Sequence, residues 1–247
     1  MSHVNVNKLE KTIRFIKNLT KIPICIDTEG AQIRTKIRKK IFFKKNQIFK
    51  IMSYGKGNFN LYPKKIFEKI KKGDVLLIGF DNLKVKVLKK KEKFILLKTI
   101  LPGLAESNKG VHVKNRKIHL NCLTDKDIKA IKVAKKMGIK NYALSFTNDV
   151  DDMLEFKKIL KNKKMIFKLE TIRALKNIKK IFKYGDEFII DRGDLSKEVK
   201  IENIPHFQRK IFKIAKKYKS KKIHIATNLL ESMIYNQYPT RGEANDI

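Results

Sequence analysis

The sequence predicts a parallel α/β fold that carries a small all-β insertion, and three observations lead there. Strand-then-helix units recur from about residue 140 onward. The residues that end those strands, Ser145, Glu170, Asp194 and Thr227, are all polar. That is expected where ligands bind at the C-terminal strand ends of barrels and open α/β sheets. Between about 36 and 115 the chain changes to dense β-type apolar runs separated by Gly and Lys turns.

From the N-terminus, NKLEKTIRFIKNL (7–19) reads as one helix and IPICIDTEG (22–30) as one strand, with a polar end at Asp27 and Thr28. DVLLIGFD, LKVKVL and KFILLKTIL mark the β insertion. IKNYALSF (139–146) precedes the helical VDDMLEFKKILKN, and KMIFKLE (164–170) precedes IRALKNIKKIFK. DEFIIDRGD (186–194) leads to a turn and the helical HFQRKIFKIAKKYK, and KKIHIATN (221–228) leads into LLESMIYN, also read as helical. The spans are a first α/β portion over 1–35, the β-rich insertion over 36–115 and a second α/β portion over 116–247.

At 247 residues and 42% hydrophobic content the chain can bury a sizeable core with a small inserted domain beside it. No stretch approaches the ~20 consecutive apolar residues of a membrane helix, and no basic-then-apolar signal opens the sequence, so a cytoplasmic location without membrane contact is expected. Cys25 and Cys122 are not in CxxC spacing and suggest neither a disulfide framework nor a thiolate metal site. The net charge of +35 invites nucleic acid as a partner, but 51 of the 59 basic residues are lysine and they are spread almost evenly along the chain. Phosphate and groove recognition leans on the arginine fork, so the charge reads as compositional bias rather than as a nucleic-acid footprint.

Side chains alternate along a strand, so Lys168 and Glu170 of KMIFKLE share one face. In a parallel strand covered on both sides an inward Lys and Glu are costly unless they pair or bind a ligand, and from this strand alone both readings stand. Asp194 favours the ligand. It is expected at the end of the next strand, and strands ~4.8 Å apart bring carboxylates within reach of one cation. Two carboxylates with substrate oxygens and water suit Mg²⁺. Gly193 lets a ligand approach the backbone, and the following amides offer an anion site. Thr227 reads as a helix N-cap or a catalytic hydroxyl, and the two roles can coexist.

Five segments then occur in a telling order: IDTEGAQIRT (26–35), NKGVHV (108–113), KLET (168–171), DRGDLSKEV (191–199) and ATNLLESMIYNQYPTRGEANDI (226–247). Together they resemble the pyruvate kinase family over nearly the whole chain, with the β insertion where the family keeps its mobile lid. The resemblance implies a partial TIM-type (β/α) barrel of pyruvate kinase type with an inserted small all-β lid domain. It implies that Glu170 and Asp194 bind Mg²⁺ or Mn²⁺, that Lys168 neutralises the phosphoryl group in flight, and that Thr227 sits beside the enolate, where a proton reaches the methylene carbon. Arg34 and Ser145 match positions near the phosphate, and Gly193 and Asp194, in the second metal-ligand segment, are expected with Thr227 to bind substrate as well. Asp27 and Thr28 match a monovalent-cation site that takes K⁺. Lys109 matches a nucleotide-side lysine and Asp81 the lid aspartate.

The chain also departs from the family pattern. It resembles only the tail of the segment ahead of IPICID, so the first two barrel strands and a substrate arginine are missing from the match, as are the last barrel strand and the C-terminal domain. Glu29, Ala31 and Gln32 stand where the family has Lys, Pro and Glu, and Gln32 bears on potassium dependence. The leading expectation is metal-dependent phosphoryl transfer between phosphoenolpyruvate and ADP, giving pyruvate and ATP. The alternatives are a metal-dependent lyase or decarboxylase of a pyruvate-like acid without nucleotide transfer, and a catalytically inactive family fragment. Five strand candidates cannot close an eight-stranded ring, so a homo-oligomer or a partner chain is expected to complete the barrel.

Overall fold

The computed structural model describes residues 1, 4–53, 59–79, 83–116, 118–227 and 229–245. They form two compact units, Met1–Ala31 with Asn121–Ile247, and Gln32–Leu120. The second unit runs wider at both ends than the 36–115 span suggested by composition.

The chain opens with helix α1 (Val6–Leu19), where the Asn5 side chain accepts from the Asn7 amide as N-cap and Leu9 and Ile13 face the core. Strand β1 (Cys25–Asp27) follows. Strands β2 (Ile33–Ile37), β3 (Ile41–Phe43), β4 (Ile48–Met52) and β5 (Phe59–Tyr62) begin the second unit. Helix α2 (Ile66–Lys69) separates them from β6 (Val75–Ile78), β7 (Leu83–Lys90), β8 (Phe94–Leu101), β9 (Gly103–Ala105) and β10 (Gly110–Val113). Seven of these strands close a barrel in the order β10-β2-β5-β4-β8-β7-β6, and β3 and β9 form a separate two-stranded ladder.

Alternation builds that barrel. In β7 (LKVKVLKK) Leu83, Val85 and Val87 point inward while the interleaved lysines face out, and in β8 Ile95 and Leu97 repeat the pattern. Closure leaves the ring no free edge, which a small lysine-rich sheet needs if it is to stay unpaired with other chains. One charge lies beneath this surface. Asp74 is 2% exposed and receives a two-pronged bond from Arg116, Nε to Oδ1 and Nη2 to Oδ2, both at 2.7 Å.

The remainder of the first unit alternates helix and strand. Helix α3 (Asp125–Lys136) is followed by β11 (Asn141–Leu144), α4 (Val150–Leu160) and β12 (Lys164–Leu169). Then come α5 (Ile172–Tyr184), β13 (Glu187–Asp191), the single turn α6 (Arg192–Leu195), α7 (Ile204–Ala215), β14 (Lys222–Ala226) and the short α8 (Arg241–Ala244). The strands form one parallel sheet in chain order, β1-β11-β12-β13-β14, so β1 and β14 are its edges. Thr124, Asp149 and Thr171 start α3, α4 and α5 by accepting backbone amides. Between sheet and helices Tyr142, Phe156, Phe167, Phe182 and Phe188 fill a continuous core. No helix among the described residues is long and apolar enough to cross a membrane.

The expected helix over LLESMIYN is not there. Only a 3₁₀ turn forms, at Glu231–Ile234, and Leu230 before it has φ +54°. The Glu243 carboxylate accepts from the amides of Ser232 and Thr240, both at 2.8 Å, and these side-chain bonds hold the segment as a loop. Local capping of this kind competes with helix hydrogen bonding.

Burial alone would raise the Asp74 carboxyl, but Arg116 and the Lys71 amide outweigh it and hold it below the ordinary range. Its contribution to stability is therefore present above the ordinary carboxylate pKa and lost as pH falls through the lowered value. Arg116→Ala should destabilise the second unit by about 2 kcal/mol at neutral pH, the guanidinium being partly solvated. Thermal melts at several pH values check this, and the deficit should shrink in acid.

Candidate active site

Strand β12 places the chemistry. Phe167 and Leu169 point into the apolar core, which sends Lys168 and Glu170 to the opposite face. Lys168 Nζ lies 2.8 Å from Glu170 Oε1, 3.1 Å from Asp191 Oδ2 and 3.5 Å from Asp27 Oδ2. One ammonium thus joins the ends of β1, β12 and β13.

Strand β13 ends at Asp191, not at Asp194 as the sequence suggests. Asp191 caps the turn α6, its Oδ1 accepting from the Asp194 amide at 3.4 Å, and α6 carries the Asp194 side chain back toward the strand ends. Ligand atoms of Glu170, Asp191 and Asp194 all lie within 4.8 Å of one another. Glu170 and Asp194 are the expected pair. Asp191 was missed, although a carboxylate ending the apolar run EFII was itself a signal.

Burial is the strongest influence on Glu170 and pushes its carboxyl well up, against the opposing Lys168 ammonium, with Asp194 adding to the rise. Burial works to lower Lys168, but Glu170, Asp27 and Asp191 outweigh it and hold the ammonium charged. Glu170 Oε2 accepts from the Phe146 amide at 2.5 Å. Glu170 Oε1 is buried and, beyond the Lys168 ammonium 2.8 Å away, has no hydrogen-bond partner among the described residues. A buried carboxylate oxygen in that condition is costly, and clustered hard oxygens are what a divalent cation such as Mg²⁺ or Mn²⁺ takes. The residues fit such a metal.

The neighbouring strand ends supply the support. The Ser145 hydroxyl donates to Asp27 Oδ1 at 2.9 Å, and the Ser145 amide donates to Thr28 Oγ1 at 2.9 Å. Asp27 and Thr28 are therefore tied to Ser145 and Lys168. Gly30 has φ +70°, and a Cβ there would lie 2.6 Å from the Ser145 carbonyl oxygen, so only glycine fits. Behind this loop the fully buried Asp127 accepts from the Glu29 amide at 2.7 Å, the Gly30 amide at 3.2 Å and the Thr124 hydroxyl at 2.9 Å. Asp127 also forms a capping box with Thr124 at the start of α3, so one side chain both caps the helix and anchors residues 29 and 30.

Thr227 is not a helix N-cap. Its backbone is left-handed at φ +68°, and its hydroxyl oxygen accepts from the Gly193 amide at 2.8 Å. The hydroxyl proton has Ala226 O at 2.6 Å and Asp191 Oδ1 at 3.3 Å. The Gly193 amide is thus engaged by Thr227, and of the amides after it, expected to offer an anion site, that of Asp194 donates to Asp191 Oδ1 at 3.4 Å. Lys197 Nζ pairs with Asp194 Oδ1.

Arg34 and Lys109 belong to the second unit. Arg34 Nη1 donates to the Asn108 carbonyl at 3.3 Å, and Lys109 pairs with Glu106 at 3.2 Å while its amide donates to Thr35 Oγ1. Asp81 lies outside the described residues.

The profile of the family described as pyruvate kinase, barrel domain, matches residues 2–247. The chain is similar to the pyruvate kinase of Thermotoga maritima, 33% identical over 261 residues covering all of this chain and 56% of that protein. It is also similar to the pyruvate kinase of Methanocaldococcus jannaschii, 34% identical over 256 residues covering all of this chain and 55% of that one. Plastidial pyruvate kinase 3 of Arabidopsis thaliana is 29% identical over 262 residues, with 46% of its length covered. The chain spans about half the length of the curated relatives it matches.

Joint replacement of Glu170 by Gln and Asp194 by Asn should abolish the heat of Mn²⁺ binding in calorimetry. An unchanged affinity would count against a metal site at these two residues.

Proposed function

The chain belongs to the pyruvate kinase family, and from that premise we propose that it transfers a phosphoryl group between phosphoenolpyruvate and ADP, giving pyruvate and ATP. The observation that carries this reading is the Lys168 ammonium held by Glu170, Asp191 and Asp27 beside the carboxylate cluster at the C-terminal strand ends.

Glu170 and Asp194, with Asp191 beside them, would hold Mg²⁺ or Mn²⁺, which when bound polarises substrate oxygens and offsets their charge. Lys168 places a fixed positive charge where the phosphoryl group passes from the enol oxygen to the ADP terminal oxygen. Its three carboxylate contacts keep that charge from reorganising during transfer, which is the form of stabilisation phosphoryl transfer needs. Ser145, fixed by Asp27 and Thr28, presents its hydroxyl near the phosphate, and Arg34 adds charge on the phosphate side. The enolate left behind takes a proton at its methylene carbon, and Thr227 is the hydroxyl assigned to that delivery. Lys109 and Asp81 serve the nucleotide side. Asp27 and Thr28 serve a monovalent cation such as K⁺.

A coupled assay with phosphoenolpyruvate, ADP and Mg²⁺, run beside pyruvate release without ADP, tests the reading. Pyruvate formation should require ADP, and Lys168→Met should lower the rate ~100-fold or more. ADP-independent pyruvate release at the same rate would point instead to a lyase or decarboxylase, and no turnover in either assay to an inactive fragment.

We further propose that a second copy or a partner chain pairs at the sheet edges β1 and β14, each of which has a neighbouring strand on one side only among the described residues. Multi-angle light scattering should report an assembly larger than the 28.9 kDa chain. A stable monomer that binds no apolar dye would count against this.

A further inference from the structure

We propose that Lys197 is a built-in counter-ion of the metal centre, its ammonium resting on Asp194 in the metal-free protein and competing there with the divalent cation. The inference rests on the metal reading above. Three carboxylates, Glu170, Asp191 and Asp194, converge within 4.8 Å. Without compensation they would repel one another in a partly desolvated place. Lys168 compensates two of them, Glu170 and Asp191. The third is met by Lys197, whose Nζ pairs with Asp194 Oδ1.

The two lysines differ in how they are held. Lys168 comes from the middle of the sheet, is 8% exposed and has three carboxylates around it. It cannot leave without stranding buried charge. Lys197 comes from the turn after α6, where the backbone is no longer helical. Its side chain is 16% exposed, whereas Lys200, three residues on and paired with Glu202, is 79% exposed. In a chain with 51 lysines, most of which extend into water, this one folds back onto a candidate metal ligand.

A second observation concerns charge count: Glu170, Asp191, Asp194 and Asp27 face only two ammoniums, Lys168 and Lys197, in these contacts. The buried Glu170 Oε1 meets the Lys168 ammonium at 2.8 Å and has no further hydrogen bond among the described residues. A divalent cation entering the cluster meets the Lys197 ammonium on one of its ligands, and like charges at that separation repel. Lys197 must then rotate toward solvent or share Asp194. In either case its positive charge lowers metal affinity, while in the metal-free state it holds the carboxylates together.

Mn²⁺ titration of the full chain by calorimetry tests this, comparing the unaltered protein with Lys197→Met and Lys197→Gln, together with melting temperatures with and without Mn²⁺. Both variants should bind Mn²⁺ about tenfold more tightly, as expected on removing a like charge beside a ligand. Both should also melt at lower temperature without metal and recover when Mn²⁺ is added. Equal or weaker Mn²⁺ binding in the variants, with clear binding to the unaltered chain, overturns the role of Lys197 and leaves the metal centre standing. Absence of Mn²⁺ binding to the unaltered chain overturns the metal reading and this inference with it. The second variant guards against a folding defect peculiar to one substitution.

Discussion

A lysine placed inside a parallel sheet must find negative charge, and Lys168 finds it on three chain segments at once. Glu170 follows it on β12, Asp191 ends β13 and Asp27 ends β1. The contacts oblige these ends to meet, because a buried ammonium with one partner removed costs several kcal/mol. Carboxylates gathered around one ammonium then exceed it in charge, and the excess is what makes the place suited to a metal. Site and fold are coupled through this single group.

The strand ends around it adopt backbone conformations that ordinary residues avoid. Phe146 and Thr227 are both left-handed, at φ +53° and +68°, and Gly30 is pressed against Ser145. Each departure has a use. The Phe146 amide reaches Glu170, the Thr227 hydroxyl reaches the Gly193 amide, and Gly30 lets the loop after β1 lie on β11. Strain at a site persists only where surrounding contacts fix it, and Asp127 supplies such contacts from beneath.

The second unit is built on a different constraint. Its strands gain their core by alternation alone, apolar inward and lysine outward, and closing the ring removes the edges such a sheet would otherwise expose. Outward positions of this kind carry part of the chain's high positive charge. The Arg116 and Asp74 pair is the exception, a buried carboxylate held by both prongs of a partly exposed guanidinium.

What the sequence alone settled is the alternation of strand and helix from about residue 140 to KIHIA, because period-two and period-3.6 patterns act within a few residues of one another, whereas α3 was not read from it. All five parallel strands lie within the segments IPICIDTEG, IKNYALSF, KMIFKLE, DEFIIDRGD and KKIHIATN that mark them, each shorter than its segment. It determined equally that Lys168 and Glu170 share a face, since alternation along a strand needs no partner to define it. The tertiary structure alone decided what surrounds them. Asp191 joins the cluster because β13 stops one turn earlier than DRGD suggests, and Thr227 turns to Gly193 rather than to a helix. Asp127 anchors residues 29 and 30 from almost a hundred positions away, and LLESMIYN forms a loop because Glu243 captures Ser232 and Thr240. These are contacts between segments distant along the chain or between competing caps, and their geometry is set only when the sheet brings the segments together.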